Sequence, residues 1–426
     1  MEVHEALERI RNISPLERAP ESVSVTQAVG RILHQKIEAA GDSPTRDNSA
    51  MDGFVFRKAD LDDGRRCFPI AGDIRPEHET HPPVAPQTCA RIVTGAPIPD
   101  GGDVVVPVEL TEPVDGGEAA DERTVTDEVT GAAGQGGRID GGEATDAGNW
   151  IRVMDLPAKN PIRRRGEGFR KGDIMLKPGT VIRAYEMGLM IESGQTECSV
   201  RAPLRVAIQV TGSEVTPRNN SNGPVLQAIM NTWPGTAAAQ HPVIEDDPEQ
   251  IRQRLLDLKP ISDIIITTGS ISAGAYDYLY DVLTGLGARP VIRKINQKPG
   301  KPFTLFRWDD VLVCCLPGNP VSAVFTAELY GRAIVRRLLG LPPMEPVKVV
   351  LDGSVANPGN KTLFLPVRVK HRDGRLLAET GSDTRMRSHL LQLFRDCNGY
   401  LQVPPETRYE ADSLVDCYPF SRSDVI

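Results

Sequence analysis

The sequence predicts a multidomain α/β protein in which a central, mainly parallel α/β domain lies between β-rich regions. The chain has 426 residues, and at about 150 residues per domain this length suggests two to four domains. From Leu204 onward, apolar strands alternate with amphipathic helices, which is typical of a parallel sheet. Before and beyond this region, short apolar runs are separated by Gly and Pro, which indicates short strands and tight turns.

Composition and charge exclude several classes of protein. Apolar residues make up 40% and charged residues 25% of the chain, as in ordinary globular proteins. The net charge of −8 gives no general attraction for nucleic acid or an anionic membrane. No stretch approaches the ~20 consecutive apolar residues of a membrane span, and no CxxC pair occurs. We therefore expect a cytoplasmic protein without a nucleic-acid or membrane partner.

The N-terminal half predicts short strands interrupted by one low-complexity segment. Residues 115–149 are rich in Gly and acidic residues and poor in large apolar ones, so we expect a solvated, flexible insertion. A turn at 177–179 precedes an amphipathic helix. The runs that predict strands before the insertion are SVSVTQAV, CARIVTG and DVVVPVEL.

The central region predicts alternating strands and helices, and the C-terminal region predicts strands. Asp247 is the expected N-cap of one helix, with Pro248 at its first position. The predicted central strands are RVAIQVTG, HPVIE, DIIITTG, RPVIRKI and VLVCCLPG; the helices are VLQAIMNTW, DDPEQIRQRLLDL, YDYLYDVLTGLG and PVSAVFTAELYGRAIVRRLLG. Beyond Leu341, the runs VKVVLDG, FLPVRVK, RLLAET and GYLQVP predict a small β-rich domain.

Loops of small and hydroxylic residues follow three of these strands. Gly lets the backbone approach a ligand, and successive N–H groups before a helix can cradle an anion. One such loop would favour an ordinary turn, but three at the carboxyl edge of one parallel sheet favour a binding site. The loop residues are Thr211, Gly212 and Ser213; Thr268, Gly269, Ser270 and Ser272; and Pro317, Gly318, Asn319 and Pro320.

Two lysines lie between the second and third loops, in the segment KPGKP (298–302). Two ammonium groups on a stiff Pro-Gly-Pro frame can clamp a phosphate or another oxyanion, although the segment is also typical of a surface turn. Asp277 could hold a divalent ion or cap the helix that follows it. Neither a Walker A sequence nor GxGxxG occurs, which argues against a P-loop NTPase and a dinucleotide dehydrogenase.

Seven segments occur in a characteristic order: DNSAMDGF (47–54), TGAPIPDGGDVVVPVE (94–109), NPIRRRGEG (160–168), PLRVAIQVTGSEV (203–215), TTGSISAGAYD (267–277), KPGKP (298–302) and LPGNPVSA (316–323). Together they resemble the molybdopterin molybdenumtransferase family of the MoeA type, which includes the E domain of gephyrin. The resemblance covers nearly the whole chain except the acidic insertion and is weaker in the last domain.

The resemblance implies a four-part architecture. Its parts are a discontinuous connecting domain (1–46 and 150–202), an inserted β-rich domain (47–149), a molybdopterin-binding α/β domain (203–342) and a C-terminal β-barrel-like domain (343–426).

The resemblance also implies an activity, which is insertion of molybdate into the dithiolene of adenylylated molybdopterin with Mg²⁺-assisted release of AMP. Family members are homodimers in which both subunits contribute to a site. The implied catalytic residues are Asp52, Thr94, Glu167, Asp277, Lys298 and Lys301. The implied Mg²⁺ ligands are Asp52, Glu214 and Asp277. The implied substrate contacts are the three loops together with Gly300, Ser322 and Ser388.

Four positions depart from the acidic residues usual in the family: Gly168, Ser213, Asn220 and Ala275. Each missing carboxylate removes charge that Mg²⁺ would take in place of water, whereas the Gly, Pro and Lys positions are kept. A second hypothesis therefore stays open, namely a non-catalytic or scaffold-type paralogue that binds molybdopterin without completing metal insertion.

Overall fold

A computed structural model describes residues 1–77, 80–114, 149–216, 218–269, 278–380 and 391–421. The chain forms two compact units. The larger unit comprises Met1–Lys36, Lys177–Gly188 and Thr196–Ile426, and the smaller unit comprises Ile37–Leu176 and Leu189–Gln195. Within the described residues, no helix is both long and apolar enough to cross a membrane.

The smaller unit is built on a β-sheet. Its strands lie in the order Val104–Pro107, Gly53–Phe56, Cys89–Ile92, Cys67–Ile74, Trp150–Val153 and Thr111–Val114. Phe56 packs edge-on against Phe68 in its core, with 4.9 Å between the ring centroids. Two short antiparallel pairs join Ile37–Glu38 to Ile174–Leu176 and Asn48–Ser49 to Ile162–Arg163. Short helical segments cover Lys58–Asp62 and Val108–Leu110.

The larger unit contains the central sheet that the sequence predicts. Its described strands lie in the order Thr236–Gln240, Leu204–Val210, Ile264–Thr268, Val311–Leu316, Thr304–Trp308 and Arg289–Arg293. The first four are mutually parallel, and Thr304–Trp308 runs antiparallel to both of its neighbours. Ile264–Thr268 is buried along its whole length because helices cover both faces of the sheet.

Helices Asn222–Met230, Pro248–Leu258, Tyr278–Gly285, Pro320–Thr326 and Arg332–Leu338 connect or follow these strands. A π-helical segment, Ala327–Gly331, joins the last two into one helical run. The Asp247 side chain accepts a hydrogen bond from the N–H of Gln250, so the predicted N-cap is present, and Pro248 is the first helical residue.

One predicted strand is wrong. HPVIE does not form a strand, and Thr236–Gln240 instead pairs in parallel with Leu204–Ile208. Pro242 has no N–H to donate to a neighbouring strand, and its carbonyl accepts from the Gln209 side chain. The Ala-rich run 236–240 was overlooked because alanine has low strand propensity.

The larger unit also contains an N-terminal helix, a short strand pair and the C-terminal strands. Helix Val3–Arg11 packs on the central core, and strand Pro20–Ser24 pairs with Glu197–Arg201. Helix Ala184–Glu192 follows the predicted turn at 177–179, and the boundary between the two units falls within it, after Gly188. Beyond residue 342, strands Thr362–Arg372, Arg375–Glu379, Val347–Leu351, Leu414–Pro419 and Gly399–Val403 close on themselves as a barrel. A short pair, Val355–Asn357 with Thr407–Tyr409, accompanies it. The predicted fold class, an α/β multidomain protein with a barrel-like C-terminal region, is confirmed, while the four domain boundaries stay predictions.

A buried carboxylate fastens the N-terminal segment to the central sheet. Asp263 is 7% exposed and precedes strand Ile264–Thr268. It accepts from the N–H of Arg205 at 2.7 Å and from the guanidinium groups of Arg205 and Arg18 at 3.0 and 2.9 Å. Arg18 also donates to the carbonyl of Pro203 at 2.8 Å. One side chain therefore connects three segments.

We expect Asp263→Ala to lower the free energy of unfolding by about 2–4 kcal/mol, because it leaves two guanidinium groups and a backbone N–H without their acceptor. Urea unfolding followed by tryptophan fluorescence measures the loss. Asp309→Asn is the control, since the Asp309 carboxylate pairs with Lys259 at 75% exposure and asparagine tolerates its φ of +54°; a loss below about 1 kcal/mol is expected. Equal losses in both variants would contradict this role for Asp263.

Candidate functional site

The three small-residue loops begin on neighbouring strands of the central sheet. Leu204–Val210, Ile264–Thr268 and Val311–Leu316 are adjacent and parallel, so their carboxyl ends meet at one edge. The N–H of Thr211 donates to the carbonyl of Thr268 at 2.9 Å, which extends the strand pairing into the loops. The sheet thus brings the first residues of all three loops together.

Backbone approach at this edge requires glycine. Gly269 has φ +101°, and a Cβ built on it would lie 2.6 Å from Oγ1 of Thr211 and closer still to the Thr211 carbonyl oxygen. A Cβ on Gly318 would lie 3.6 Å from the Cα of Gly269. Any side chain at 269 would therefore push the first two loops apart, and this local crowding explains the glycine.

Asn222, at the start of helix Asn222–Met230, fastens the loops to one another. Its Nδ2 donates to Oγ1 of Thr268 at 2.8 Å and to the carbonyl of Gly318 at 2.7 Å. The residue is 8% exposed, and its Oδ1 accepts no hydrogen bond from any described residue. Sequence reasoning does not predict Asn222 as a site residue. Its one signal in the sequence is that a polar residue, in the segment Asn220-Ser221-Asn222, begins an apolar helix.

The first loop presents polar side chains to solvent. Ser213 and Glu214 are exposed, and the Oγ of Ser213 accepts from the N–H of Asp246 at 3.3 Å. Asn219 donates to the Glu214 carbonyl at 3.0 Å and so stabilises the turn that follows. Gly212 is buried, and a Cβ built on it would lie 2.6 Å from Val215. The side chains at 213 and 214 are free to face a ligand, while the backbone beneath them is crowded.

The lysine segment is held against the helical run that follows the third loop. Gly300 has φ +88°, and a Cβ there would lie 2.8 Å from Nε2 of Gln297 and closer still to Cγ2 of Thr326. Gln297 donates to the Pro299 carbonyl at 2.8 Å and accepts from the Tyr330 hydroxyl. Strand Gln297–Lys298 also pairs in parallel with the first residues of Thr362–Arg372.

Lys298 and Lys301 are exposed, and neither forms an ion pair or a side-chain hydrogen bond with any described residue. Their ammonium groups are therefore available to an anion. In the third loop, Pro317 is buried, and Gly318 and Asn319 are exposed. Pro320 is the first residue of the helix that follows, in which Ser322 is buried.

In the smaller unit, two predicted catalytic residues are in direct contact. Oδ1 of Asp52 accepts from the N–H and from the hydroxyl of Thr94, both at 2.7 Å. These two hydrogen bonds stabilise the carboxylate and lower the pKa of Asp52 below its usual range. Asp52 is thus an exposed, oriented anion at neutral pH.

Glu167 lies in the same unit and stabilises a turn. Its carboxylate accepts from the N–H of Arg164 at 2.8 Å. The pairing of Asn48–Ser49 with Ile162–Arg163, and an ion pair of Arg164 with Asp47, join this turn to the segment that carries Asp52. The structure gives Glu167 a local structural contact and leaves its predicted catalytic role untested.

The predicted site residues Ser270, Ser272, Asp277 and Ser388, and the replaced position Ala275, lie outside the described residues. Within the part of the chain that is described, no group of three or more His, Cys, Asp or Glu residues is placed to hold a metal ion. The predicted Mg²⁺ ligands Asp52 and Glu214 belong to different compact units.

These features define a class of protein with closely approaching backbone at the carboxyl edge of an α/β sheet and two unpaired lysines on a segment held against the adjoining helical run. Such groups suit a phosphorylated ligand. Comparison with known families is more specific. Residues 1–194 match the MoeA N-terminal region (domain I and II), 207–337 match a probable molybdopterin binding domain, and 348–420 match the MoeA C-terminal region (domain IV).

Similar proteins cover nearly the whole chain. Molybdopterin molybdenumtransferase 2 of Mycobacterium tuberculosis is 31% identical over 421 residues, which span 94% of this chain and 95% of the relative. The molybdopterin molybdenumtransferase of Synechococcus elongatus is 30% identical, covering 80% of this chain and 82% of the relative. The crystal structure of the molybdopterin biosynthesis MoeA protein from Pyrococcus horikoshii shares the fold, with a TM-score of 0.73 at 20% identity over 99% of this chain and 100% of that one. The chain belongs to the MoeA family of molybdopterin molybdenumtransferases, as the sequence motifs predicted.

We expect Asn222→Ala to lower the free energy of unfolding by about 2–4 kcal/mol, because it leaves Oγ1 of Thr268 and the Gly318 carbonyl without a donor. It should also weaken binding of molybdopterin about tenfold, because the loops lose their shared anchor. Thermal unfolding and titration calorimetry measure the two effects.

Asn231→Ala is the matched control. Asn231 ends the same helix and exchanges two hydrogen bonds with the backbone of Ala238, away from the loops. It should cost stability but leave molybdopterin affinity unchanged. Equal affinities in the two variants would show that Asn222 does not organise the binding loops.

Proposed function

We propose that this chain inserts molybdate into the dithiolene of adenylylated molybdopterin and releases AMP. The observation that carries the proposal is the set of strand-end loops fastened by Asn222, with two unpaired lysines on a segment held against the adjoining helical run. Backbone amides and ammonium groups are the donors that a pterin phosphate and a nucleotide phosphate require. Family membership makes these ligands the natural candidates, and we place the reaction in the cytoplasm.

The larger unit would bind the pterin and its phosphates. We propose that the backbone around Gly212, Gly269 and Gly318 contacts the ligand, since glycine has no side chain to keep a ligand away from the backbone. Lys298 and Lys301 would neutralise either the phosphate oxygens or the incoming molybdate. The further proposed contacts are Thr211, Ser213, Thr268, Ser270, Ser272, Gly300, Pro317, Asn319, Pro320, Ser322 and Ser388.

The smaller unit would contribute the acidic residues. Asp52 is held ionised and oriented by Thr94, so it can position a cation or accept a proton near the reacting groups. We propose that the chain is a homodimer in which Asp52, Thr94 and Glu167 of one subunit complete the site of the other. A shared site would explain why required residues occur in both compact units.

Mg²⁺ is part of the proposal, but the described residues do not supply a complete site for it. Carboxylates suit Mg²⁺, which keeps several waters and often binds through substrate phosphates. Glu214 offers one exposed carboxylate, and no described cluster offers three ligands. We therefore assign no step to the metal, and the assay below measures AMP release with and without Mg²⁺.

A binding-only or scaffold-type paralogue is the second candidate, favoured by the replaced carboxylates. A Cβ on Gly168 would lie only 3.1 Å from the Ser43 carbonyl oxygen, so an aspartate at 168 would need this turn to shift. Ser213 is different, because it is exposed and can be replaced without crowding. The two candidates differ in turnover, since both bind the pterin.

We expect the natural chain to release AMP from adenylylated molybdopterin when molybdate and Mg²⁺ are present, and Ser213→Asp to release it faster because it restores a negative charge beside the loop. AMP is measured by chromatography with and without Mg²⁺. Full activity in the natural chain with no gain from Ser213→Asp would show that the lost carboxylate does not limit turnover. Pterin binding without AMP release in either protein would favour the binding-only paralogue.

Lys298→Ala/Lys301→Ala provides the binding control for that assay. Loss of charge-assisted contacts worth about 1.5–3 kcal/mol each should weaken pterin binding at least tenfold. Lys348→Ala removes a lysine that pairs with Asp416 on the barrel, and it should leave binding unchanged.

The homodimer proposal has its own prediction. Light scattering should give twice the 46.4 kDa mass of the chain. Asp52→Asn and Lys298→Ala/Lys301→Ala subunits should each be inactive alone, but mixing them should restore about a quarter of the natural activity, because half of the dimers would then contain one intact site. A dimer that recovers no activity on mixing would locate all of these residues in the site of one subunit.

A further inference from the structure

The larger unit contains a cavity that the proposed reaction does not use. Its volume is about 310 Å³, at the small end of the range for small-molecule sites. Helix Val3–Arg11, the helical run ending at Leu338, the segment that follows it and the C-terminal barrel contribute its walls. None of its lining residues belongs to the strand-end loops or to the lysine segment.

Three arginines give this cavity its charge. Arg11, Arg336 and Arg337 line it, whereas no Asp or Glu is among its lining residues. Arg336 and Arg337 use Nε to donate to the carbonyls of Pro342 at 2.7 Å and Ile13 at 2.6 Å. Their terminal nitrogens, and the whole guanidinium of Arg11, form no hydrogen bond or ion pair with any described residue. These Nε hydrogen bonds orient the guanidinium groups of Arg336 and Arg337 and leave their terminal N–H groups available to a ligand.

The rest of the cavity is apolar and aromatic. Leu7, Ile10, Ala333 and Met344 line it together with the rings of Tyr400 and Tyr418. These two rings are stacked with 5.4 Å between centroids and 15° between planes. Tyr400 is 1% exposed, so its ring position is fixed by packing. An apolar body would therefore find a preformed surface beneath the arginines.

From this combination we infer that the cavity is a binding site for a small aryl or alkyl carboxylate, separate from the proposed pterin site. The carboxylate would accept from the guanidinium groups, while the hydrocarbon part lies against the ring of Tyr418, which Tyr400 supports from behind, and against the partly exposed aliphatic side chains. An anion there would also relieve repulsion among clustered positive charges, since burial and the neighbouring Arg332 lower the pKa of Arg336.

The test compares 3-phenylpropionate with its uncharged amide, 3-phenylpropionamide, by ligand-observed NMR on the full chain. The carboxylate should bind with a Kd of about 1 mM or lower, and the amide should bind at least tenfold more weakly. Equal affinities for the two probes, or no saturable binding of the carboxylate, would overturn the proposal.

Variants locate the site. Arg11→Gln should weaken carboxylate binding about tenfold, whereas Arg9→Gln, on the same helix but outside the cavity lining, should not. Ala333→Phe should block the cavity and abolish binding, and a thermal melt checks that this variant folds. If Ala333→Phe does not fold, the comparison of Arg11→Gln with Arg9→Gln decides whether the carboxylate binds in this cavity. Unchanged binding in Arg11→Gln would refute the site, and AMP release by that variant without probe should equal that of the natural chain.

Discussion

The candidate site depends on one close approach of backbone at the carboxyl edge of the central sheet. The Thr211 N–H donates to the Thr268 carbonyl, and Gly269 leaves no room for a side chain beside Thr211. Asn222 then uses both hydrogens of its amide to connect the second and third loops. Because these contacts are made between the chain's own residues, the fold itself positions Thr211, Thr268 and Gly318, and the cost of ordering these loop residues is met by folding rather than by a ligand.

One helical run extends this order to the lysine segment. It begins at Pro320, directly after the third loop, and its Thr326 occupies the space that a side chain at Gly300 would need. One turn further, the Tyr330 hydroxyl donates to Gln297, whose amide holds the Pro299 carbonyl. The third loop and the lysine segment are thus attached to the same helical run, and Lys298 and Lys301 are exposed without an ion pair to any described carboxylate.

Sequence reasoning predicted what is encoded locally. The strand pattern gave the central sheet, Asp247 and Pro248 marked their helix, and small residues marked the three loops. It missed contacts between residues far apart in the chain, such as Asn222 with Gly318 and Gln297–Lys298 with the barrel strand, because periodicity carries no information on which distant groups meet. It missed the edge strand at 236–240 because alanine has a weak strand propensity and the parallel pairing with Leu204–Ile208 is a contact between residues distant in the chain.

The positions at which a family carboxylate is replaced differ in how crowded their surroundings are. This difference decides what a substitution at each position can test about function. Gly168 belongs to a crowded turn in which its own N–H donates to the Ser43 carbonyl at 2.9 Å, and a Cβ would press on the same oxygen. An aspartate there would change backbone as well as charge. Ser213 is exposed, and its own Oγ accepts from the Asp246 N–H. An aspartate there adds charge and must accept that hydrogen bond in place of the hydroxyl, but its Cβ replaces one that is already present, so the backbone is not crowded. A change in AMP release caused by an aspartate at 213 therefore reports on the electrostatics of the site. A change caused by an aspartate at 168 would combine electrostatics with folding. The substitution at 213 is therefore the one that can distinguish an enzyme with a weakened cation site from a protein that binds the pterin without turnover.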